Sequence, residues 1–469
     1  MRGIRAFCGA LFGALLVAGC AGSWNGPMDW NSGLHTLGGS VNGLVGSGLT
    51  LTNNDRTGMT FPSGWNGTYE DLLGGWLLNK GESYKVTVLT QPTDPAQTCT
   101  VANGSGVMGG TAVTNIKVTC TLDASPARFV FLANSGSGNI SGYTIAAATG
   151  ALTPMSSSPF PAGNAPSSMA AGYSGKFLYV TNQNDGNVSA FAINATTGSL
   201  AEVAGSPFAS GARPSAIATD PLSPYVYVTN ANSGDVSAYA IEPSGALTLV
   251  SGAPFPAGTS PSSLGVSPGG GLVVVANAGS DNVSAYASTN TSGALTAVNG
   301  SPFAAGSAPR SVAIDPTGRF VYVANAGDAS VSAYTTIDGS RGALVAVSGS
   351  PFATGNGPAA VVVDPYGKFV YVANETSNTV SAFAIVPTNG GQIYPNSGAL
   401  TPITGAPYAA GSSPSSLAVT PDGKFLFVTN AGSSDVSAFA INPTSGALTV
   451  VNGSPFATDG LPYSIAVIE

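Results

Sequence analysis

Charge is scarce in this chain. Lys, Arg, Asp and Glu make up 8% of its 469 residues, and the net charge is −8. No basic run occurs beyond the first five residues, so the Lys/Arg footprint that a phosphate backbone requires is missing and nucleic acid is excluded as a partner. His35 is the only histidine, and no Cys-x-x-Cys pair occurs, which removes a Cys- or His-based zinc site. No acidic loop has the dense oxygen set that calcium takes, so neither metal nor cofactor is expected. With no histidine after residue 35, a Ser/His/Asp hydrolase has no support. What is plentiful is Gly (63) and Pro (33), spread evenly among aromatic and β-branched residues. Such punctuation of short apolar runs describes a turn-rich all-β protein rather than a disordered one.

The first twenty residues read differently. Arg2 and Arg5 precede an apolar stretch from Ala6 to Val17, then Val17-Ala18-Gly19-Cys20. The stretch is shorter than the roughly 20 residues a membrane span needs, and its charged start and small-residue end describe a secretory signal. The cysteine after the small residues resembles a bacterial lipobox. That resemblance implies cleavage before Cys20, a diacylated Cys20 as the attachment to a membrane, and, since Ala21 rather than Asp follows, outer-membrane sorting within a bacterial cell envelope. Cysteine arithmetic agrees with export: Cys8 leaves with the signal and Cys20 takes lipid. Cys99 and Cys120 then remain as one pair that an oxidising compartment joins.

Residues 1–19 are thus the expected signal, and 20–36 a Gly/Pro/Asn-containing tether. Residues 37–124 form a first domain. Its alternating runs, such as Tyr84-Lys85-Val86-Thr87-Val88-Leu89 and Asn115-Ile116-Lys117-Val118-Thr119-Cys120, mark half-buried strands. It resembles the small Ig-like or transthyretin-like β-sandwiches of envelope lipoproteins. A Cys99 to Cys120 bridge would tie its last strands, and a spacer role is expected.

From residue 125 to 469 the chain repeats itself. Seven units open on runs such as Phe177-Leu-Tyr-Val-Thr-Asn182, Tyr225-Val-Tyr-Val-Thr-Asn230 and Phe369-Val-Tyr-Val-Ala-Asn374. Their terminal asparagines, Asn134, Asn182, Asn230, Asn277, Asn325, Asn374 and Asn430, are 48, 48, 47, 48, 49 and 56 residues apart. Each unit continues with a Val-Ser-Ala-Tyr/Phe strand, a Gly-Ala-Leu-Thr strand, a Ser-Pro-Phe-Ala-x-Gly turn and a Pro-Ser-Ser-hydrophobic-Ala strand. Four short strands per period predict propeller blades, and the expected architecture is a seven-bladed β-propeller preceded by a small β-sandwich. The array ends on Pro462-Tyr-Ser-Ile-Ala-Val467, a first strand without its successors, which can complete the first blade and remove the free sheet edges. These units resemble the YVTN-type repeats of surface-layer propellers and of the seven-bladed lactonase family, whose members include 6-phosphogluconolactonase. The resemblance is specific for fold and much less so for activity, because no position here matches a family active-site motif.

Once-per-blade polar residues, the strand-ending asparagines and the Asp-Pro turns at Asp220, Asp315 and Asp364, read as structural. Departures from the repeat are the site candidates. Arg213 and Arg310 are the only cations in the loops entering the innermost strands. Asp459 replaces a recurrent glycine, and Tyr463 stands where a small residue is usual. An anionic ligand is expected at the channel mouth between the two arginines, both pointing to the axis. The sixth unit also carries about eight extra residues, Asn389–Asn396. Lipid anchor, spacer and a weakly charged array point first to an envelope lipoprotein that presents its propeller as a binding module for a small molecule, glycan or protein. The resemblance implies an alternative, a lactonase-type hydrolase or isomerase acting on a small sugar lactone or other anionic substrate.

Overall fold

A computed structural model describes residues 34–468 apart from 47, 57, 63, 71–75, 93–96, 123–127, 337–341, 389–393 and 395. The expected signal, the lipid-bearing Cys20 and most of the tether lie outside the described residues, as does most of the 389–396 insertion. Every regular element among the described residues is a β-strand.

Two four-stranded sheets, with a two-stranded one that pairs Leu34–His35 with Leu78–Asn79, make up the first domain. One orders Gly67–Glu70, Leu37–Asn42, Val113–Leu122 and Gln97–Ala102; the other orders Met59–Thr60, Thr50–Asn53, Ser83–Thr90 and Ser105–Val107. Their inner side chains, among them Leu37, Leu51, Val86 and Val118, form one core together with Trp76. Cys99 and Cys120 are opposite each other on paired antiparallel strands and are joined in a disulfide.

The rest is seven sheets of like build. Numbered along the chain, blade 1 comprises 129–161 with 462–468, and blades 2 to 7 comprise 166–209, 214–256, 261–304, 309–353, 358–409 and 414–457. Within each, four antiparallel strands follow one another outward, and a two-residue fifth strand bonds back to the third. Blade 1 is closed from inside by the chain's end: Pro462–Ile468 pairs with Phe129–Asn134, Ile465 opposite Leu132. No blade is left with an unpaired partner strand, so the ring has no open sheet edge between its first and last repeats.

Why the second strand is apolar throughout follows from where its two faces go. In blade 3, Val226 and Val228 pack into a cluster with Tyr179 and Val188 of blade 2. Tyr225 and Tyr227 point the other way, against Val273 and Val275 of blade 4. With a side-chain period of two, each strand serves two inter-blade cores, so neither face is polar. The buried tyrosines find partners in the next blade: Tyr179, Tyr322 and Tyr371 donate to the carbonyls of Gly245, Gly398 and Gly446. Third-strand tyrosines tie back to the preceding blade, Tyr239 to Ala209 and Tyr334 to Ala304.

The strand-ending asparagines are consumed locally. Asn182 is fully buried; its amide donates to Asn187 and Ser189, and its oxygen accepts from Gly163 of the entry turn. A side chain on that glycine has no room, since a Cβ would lie 2.5 Å from the Asn182 amide carbon. The Asp-Pro turns lie at the opposite end of the blades. There Asp315 accepts from the amides of Arg319 and Phe320, each at 2.7 Å, and Asp364 does the same with Lys368 and Phe369.

Candidate functional site at the channel mouth

A cavity of about 310 Å³ opens at the end of the propeller axis where the innermost strands begin. All seven blades line it, through the two residues that follow the entry proline of each innermost strand. An innermost strand is an edge, and its unpaired backbone groups need partners. Serines of the Pro-Ser-Ser motif supply them around the ring. At the first of the two positions, Ser167, Ser215, Ser262 and Ser415 donate to the proline carbonyl of the next blade, at 3.0, 2.7, 2.8 and 2.9 Å. At the second position, Ser168, Ser263, Ser311 and Ser464 accept from the next blade's amide, at 3.1 to 3.2 Å. The repeated Pro-Ser-Ser is thereby explained as the lateral fastening of the channel wall.

The first ring is broken in three places, at Arg310, Ala359 and Tyr463. Those breaks are where the mouth acquires its chemistry. Arg310 of blade 5 reaches across the opening and donates through Nη2 to the hydroxyl of Tyr463 in blade 1, at 3.2 Å, while Nη1 bonds the carboxylate of Glu375. Ala359 of blade 6 and Ser415 of blade 7 stand between them in the ring. Burial opposes the Arg310 charge, but Tyr463 and Glu375 outweigh it and hold the guanidinium above its ordinary pKa.

Arg213 lines the same cavity in a different way. It is exposed, forms no ion pair among the described residues, and has a left-handed backbone with φ of 60°. Its repeat equivalents share the conformation: Ala165, Ser260, Ala308, Gly357, Ser413 and Leu461 have φ between 49 and 63°. The kink before each entry proline therefore belongs to the fold, whereas an arginine on it belongs to this site alone.

Of the four sequence candidates, Arg213, Arg310 and Tyr463 meet in one cavity. Both arginines were expected to be partly exposed and aimed at the axis; Arg310 is partly exposed but is paired off with Glu375 of the neighbouring blade. Asp459 is not part of the lining. Its carboxylate accepts from Asn139 at 3.1 Å, across the seam where the last repeat meets the first. Glu375 was not among the candidates, although it too departs from the repeat: it follows the strand-ending asparagine where Ala231, Ala278, Ala326 and Ala431 stand in other blades. Gly265-Val266-Ser267-Pro268-Gly269 has the literal Gly-x-Ser-x-Gly spacing of a nucleophile elbow, a match that the reading of the sequence missed. Ser267 is buried in the turn at the far end and accepts from the amide of Leu272, so it offers no nucleophile.

Among the described residues the lining holds two guanidiniums, a phenol, an amide pair in Gln183 and Asn232, and many hydroxyls, but no carboxylate, imidazole or amine. Ser167, Ser215, Ser262 and Ser415 commit their protons to proline carbonyls and offer lone pairs to a ligand's hydroxyls; Ser168, Ser263, Ser311 and Ser464 accept a backbone amide and keep a proton to donate, while the arginines donate to anionic or carbonyl oxygens. No group of three or more His, Cys, Asp or Glu residues able to hold a metal ion occurs among the described residues.

The sequence profile of the family described as "Lactonase, 7-bladed beta-propeller" matches residues 121–212 and 206–462. The chain belongs to this lactonase family. Solved propellers of similar fold include a protein from Bacteroides uniformis assigned as a 6-phosphogluconolactonase, with 21% identity and a TM-score of 0.63, covering 73% of this chain and 100% of that one. The periplasmic gluconolactonase of Pseudomonas aeruginosa is 20% identical, with a TM-score of 0.62, covering 73% and 99%. A Lactobacillus plantarum protein is 22% identical, with a TM-score of 0.60, covering 73% and 100%. At these identities the likeness to each structure is one of fold. No curated protein sequence matches the chain.

Proposed function

We propose that this lactonase-family chain hydrolyses a small polyhydroxylated sugar-acid lactone bound at the channel mouth. The observation that carries the reading is the makeup of the cavity: hydroxyl acceptors around the wall, with Arg213 unpaired and Arg310 held across the opening. Family membership and neighbours assigned as sugar lactonases add to it. In the reaction, water adds to the acyl carbon and the ring C–O bond breaks. The ring oxygen leaves as a hydroxyl, and the new acid gives its proton to solvent. Negative charge builds on the carbonyl oxygen before that bond breaks, and guanidinium donors aimed at it lower the barrier. Glu375, outside the lining, holds Arg310 in place through their ion pair, and the proton of the attacking water passes through solvent to the leaving ring oxygen. The ring serines and Tyr463 orient the sugar hydroxyls.

A second reading is a binding module without turnover, displayed from the cell envelope through a lipid on Cys20. It is favoured by the lack of any carboxylate or imidazole in the lining among the described residues. Proton release from glucono-δ-lactone and 6-phosphoglucono-δ-lactone, followed with purified protein, separates the two. Turnover that is lost in Arg213→Ala and Glu375→Gln supports the hydrolase. Gluconate binding with lactone decay no faster than in buffer supports the module and refutes the hydrolase.

A further inference from the structure

The cavity at the mouth does not end at the axis. A shallow groove of about 610 Å³ runs outward over the boundary between blades 3 and 4, and Ala231, Asn232 and Ser260 line both spaces. The loop after Asn230 forms one bank of the groove. The entry turn Ala257–Ser260 forms the other, and Ser280 and Asn282 of blade 4 close its outer part. Gly234 and Gly258 lie in it; a Cβ on Gly258 would come within 2.6 Å of the Ser280 hydroxyl, so the space is kept by the same glycine that accommodates Asn277.

What distinguishes this boundary is its charge. Each of the seven boundaries presents the same ten repeat positions, and six of them carry at least one ionised side chain there. Asp185 lies at the boundaries of blades 1 and 2 and of 2 and 3, Asp328 at 4 and 5 and at 5 and 6, Glu375 at 6 and 7, and Asp459 at 7 and 1. Between blades 3 and 4 all ten are Ala, Gly, Asn, Ser or Thr. The exposed Asn232 amide has no hydrogen-bond partner among the described residues, and Thr259 and Ser260 are exposed beside it. A neutral wall of amide and hydroxyl groups, joined to a site that holds one uncommitted cation, fits a ligand with one anionic or acyl end and an uncharged, hydroxylated remainder.

We propose that the groove between blades 3 and 4 is a second sugar subsite, so that the preferred ligand is a two-unit sugar acid or its lactone: an oxidised terminal unit in the central cavity, glycosidically linked to a neutral hexose in the groove. The proposal rests on the reading of the mouth as a sugar-acid site and adds the length of the ligand. Asn232 stands at the junction, where it reaches the glycosidic region, and Thr259 and Ser280 face the outer unit.

Binding of gluconate and of cellobionate, its 4-O-glucosyl counterpart, to the full chain tests it by calorimetry, with saturation-transfer NMR on the unaltered protein reporting each ring. Cellobionate is expected to bind at least tenfold tighter, with saturation reaching both rings. In Thr259→Trp, which fills the groove, the advantage should fall to about onefold while gluconate binding is unchanged. Equal affinities in the unaltered protein, or saturation confined to the gluconate ring, overturn the second subsite. Failure of both ligands to bind overturns the sugar-acid reading itself and the subsite with it. Groove-dependent cellobionate binding with no hydrolysis of either lactone upholds the subsite and refutes only the hydrolase.

Discussion

Arg213 carries its side chain on a backbone that ordinary residues avoid, and this allows strain and function to be separated at one position. Holding a residue with a Cβ in the left-handed region costs roughly 1 to 2 kcal/mol, and Gly357 shows that the same kink accepts glycine. Glycine also loosens the unfolded chain, which takes back roughly 0.4 to 1 kcal/mol. Arg213→Gly should therefore stabilise the propeller by about 0.5 to 1 kcal/mol, since the exposed guanidinium has no ion pair among the described residues to lose. Arg213→Ala keeps the strained backbone and should leave stability within about 0.5 kcal/mol of the parent, as surface changes do. Both remove the charged hydrogen bond to an anionic ligand, a loss of about 1.5 kcal/mol at an exposed mouth, or about tenfold in affinity. Scanning calorimetry gives the first quantity and titration with gluconate the second. Arg213→Gly melting below Arg213→Ala would refute the strain argument. Undiminished gluconate binding in Arg213→Ala would remove Arg213 from the site.

Other outcomes follow from groups away from the mouth. Asp220 is buried; burial pushes its carboxyl up, against the amides of Leu222 and Ser223, and its Oδ2 has no partner. A folded pKa above the unfolded value of about 3.9 means that Asp220 lowers stability as pH rises through that interval. Asp220→Asn should therefore raise the melting temperature at pH 7 and lose this advantage near pH 3; a lower melting point at pH 7 contradicts it. Reducing the Cys99–Cys120 bridge, whose sequence separation is 21, should cost the first domain about 3 kcal/mol by chain entropy. In calorimetry only that domain's transition should move, and an equal shift of the propeller transition would count against separate cores. Radiolabelled palmitate should enter the parent protein and not Cys20→Ser; labelling of both rules out the lipobox.

Repetition is what made the fold legible. A single Phe-Val-Tyr-Val run is ambiguous between a strand and a buried helix segment, but seven such runs at nearly constant spacing, each followed by the same turn residues, admit one architecture. Even the closure could be read, because Pro462–Ile468 is an innermost strand with no successor and Phe129–Asn134 a second strand with no predecessor. The site lacks that redundancy. Arg310 and Tyr463 are 153 residues apart, and Arg310 and Glu375 are 65 apart; they meet only because the ring brings blades 5, 6 and 1 around one opening. Asp459 was the same kind of departure as Arg310, a charge in a neutral repeat, yet the seam absorbs it through Asn139. The difference lies in whether several departures converge. Arg310, Ala359 and Tyr463 break the same serine ring, and Arg310 bonds Tyr463 across it, whereas Asp459 accepts from Asn139 where the last repeat is joined to the first. Arg310 thus pairs with Glu375, itself a departure from the repeat, whereas Asp459 pairs with Asn139, whose equivalents Asn187 and Asn282 are the same residue.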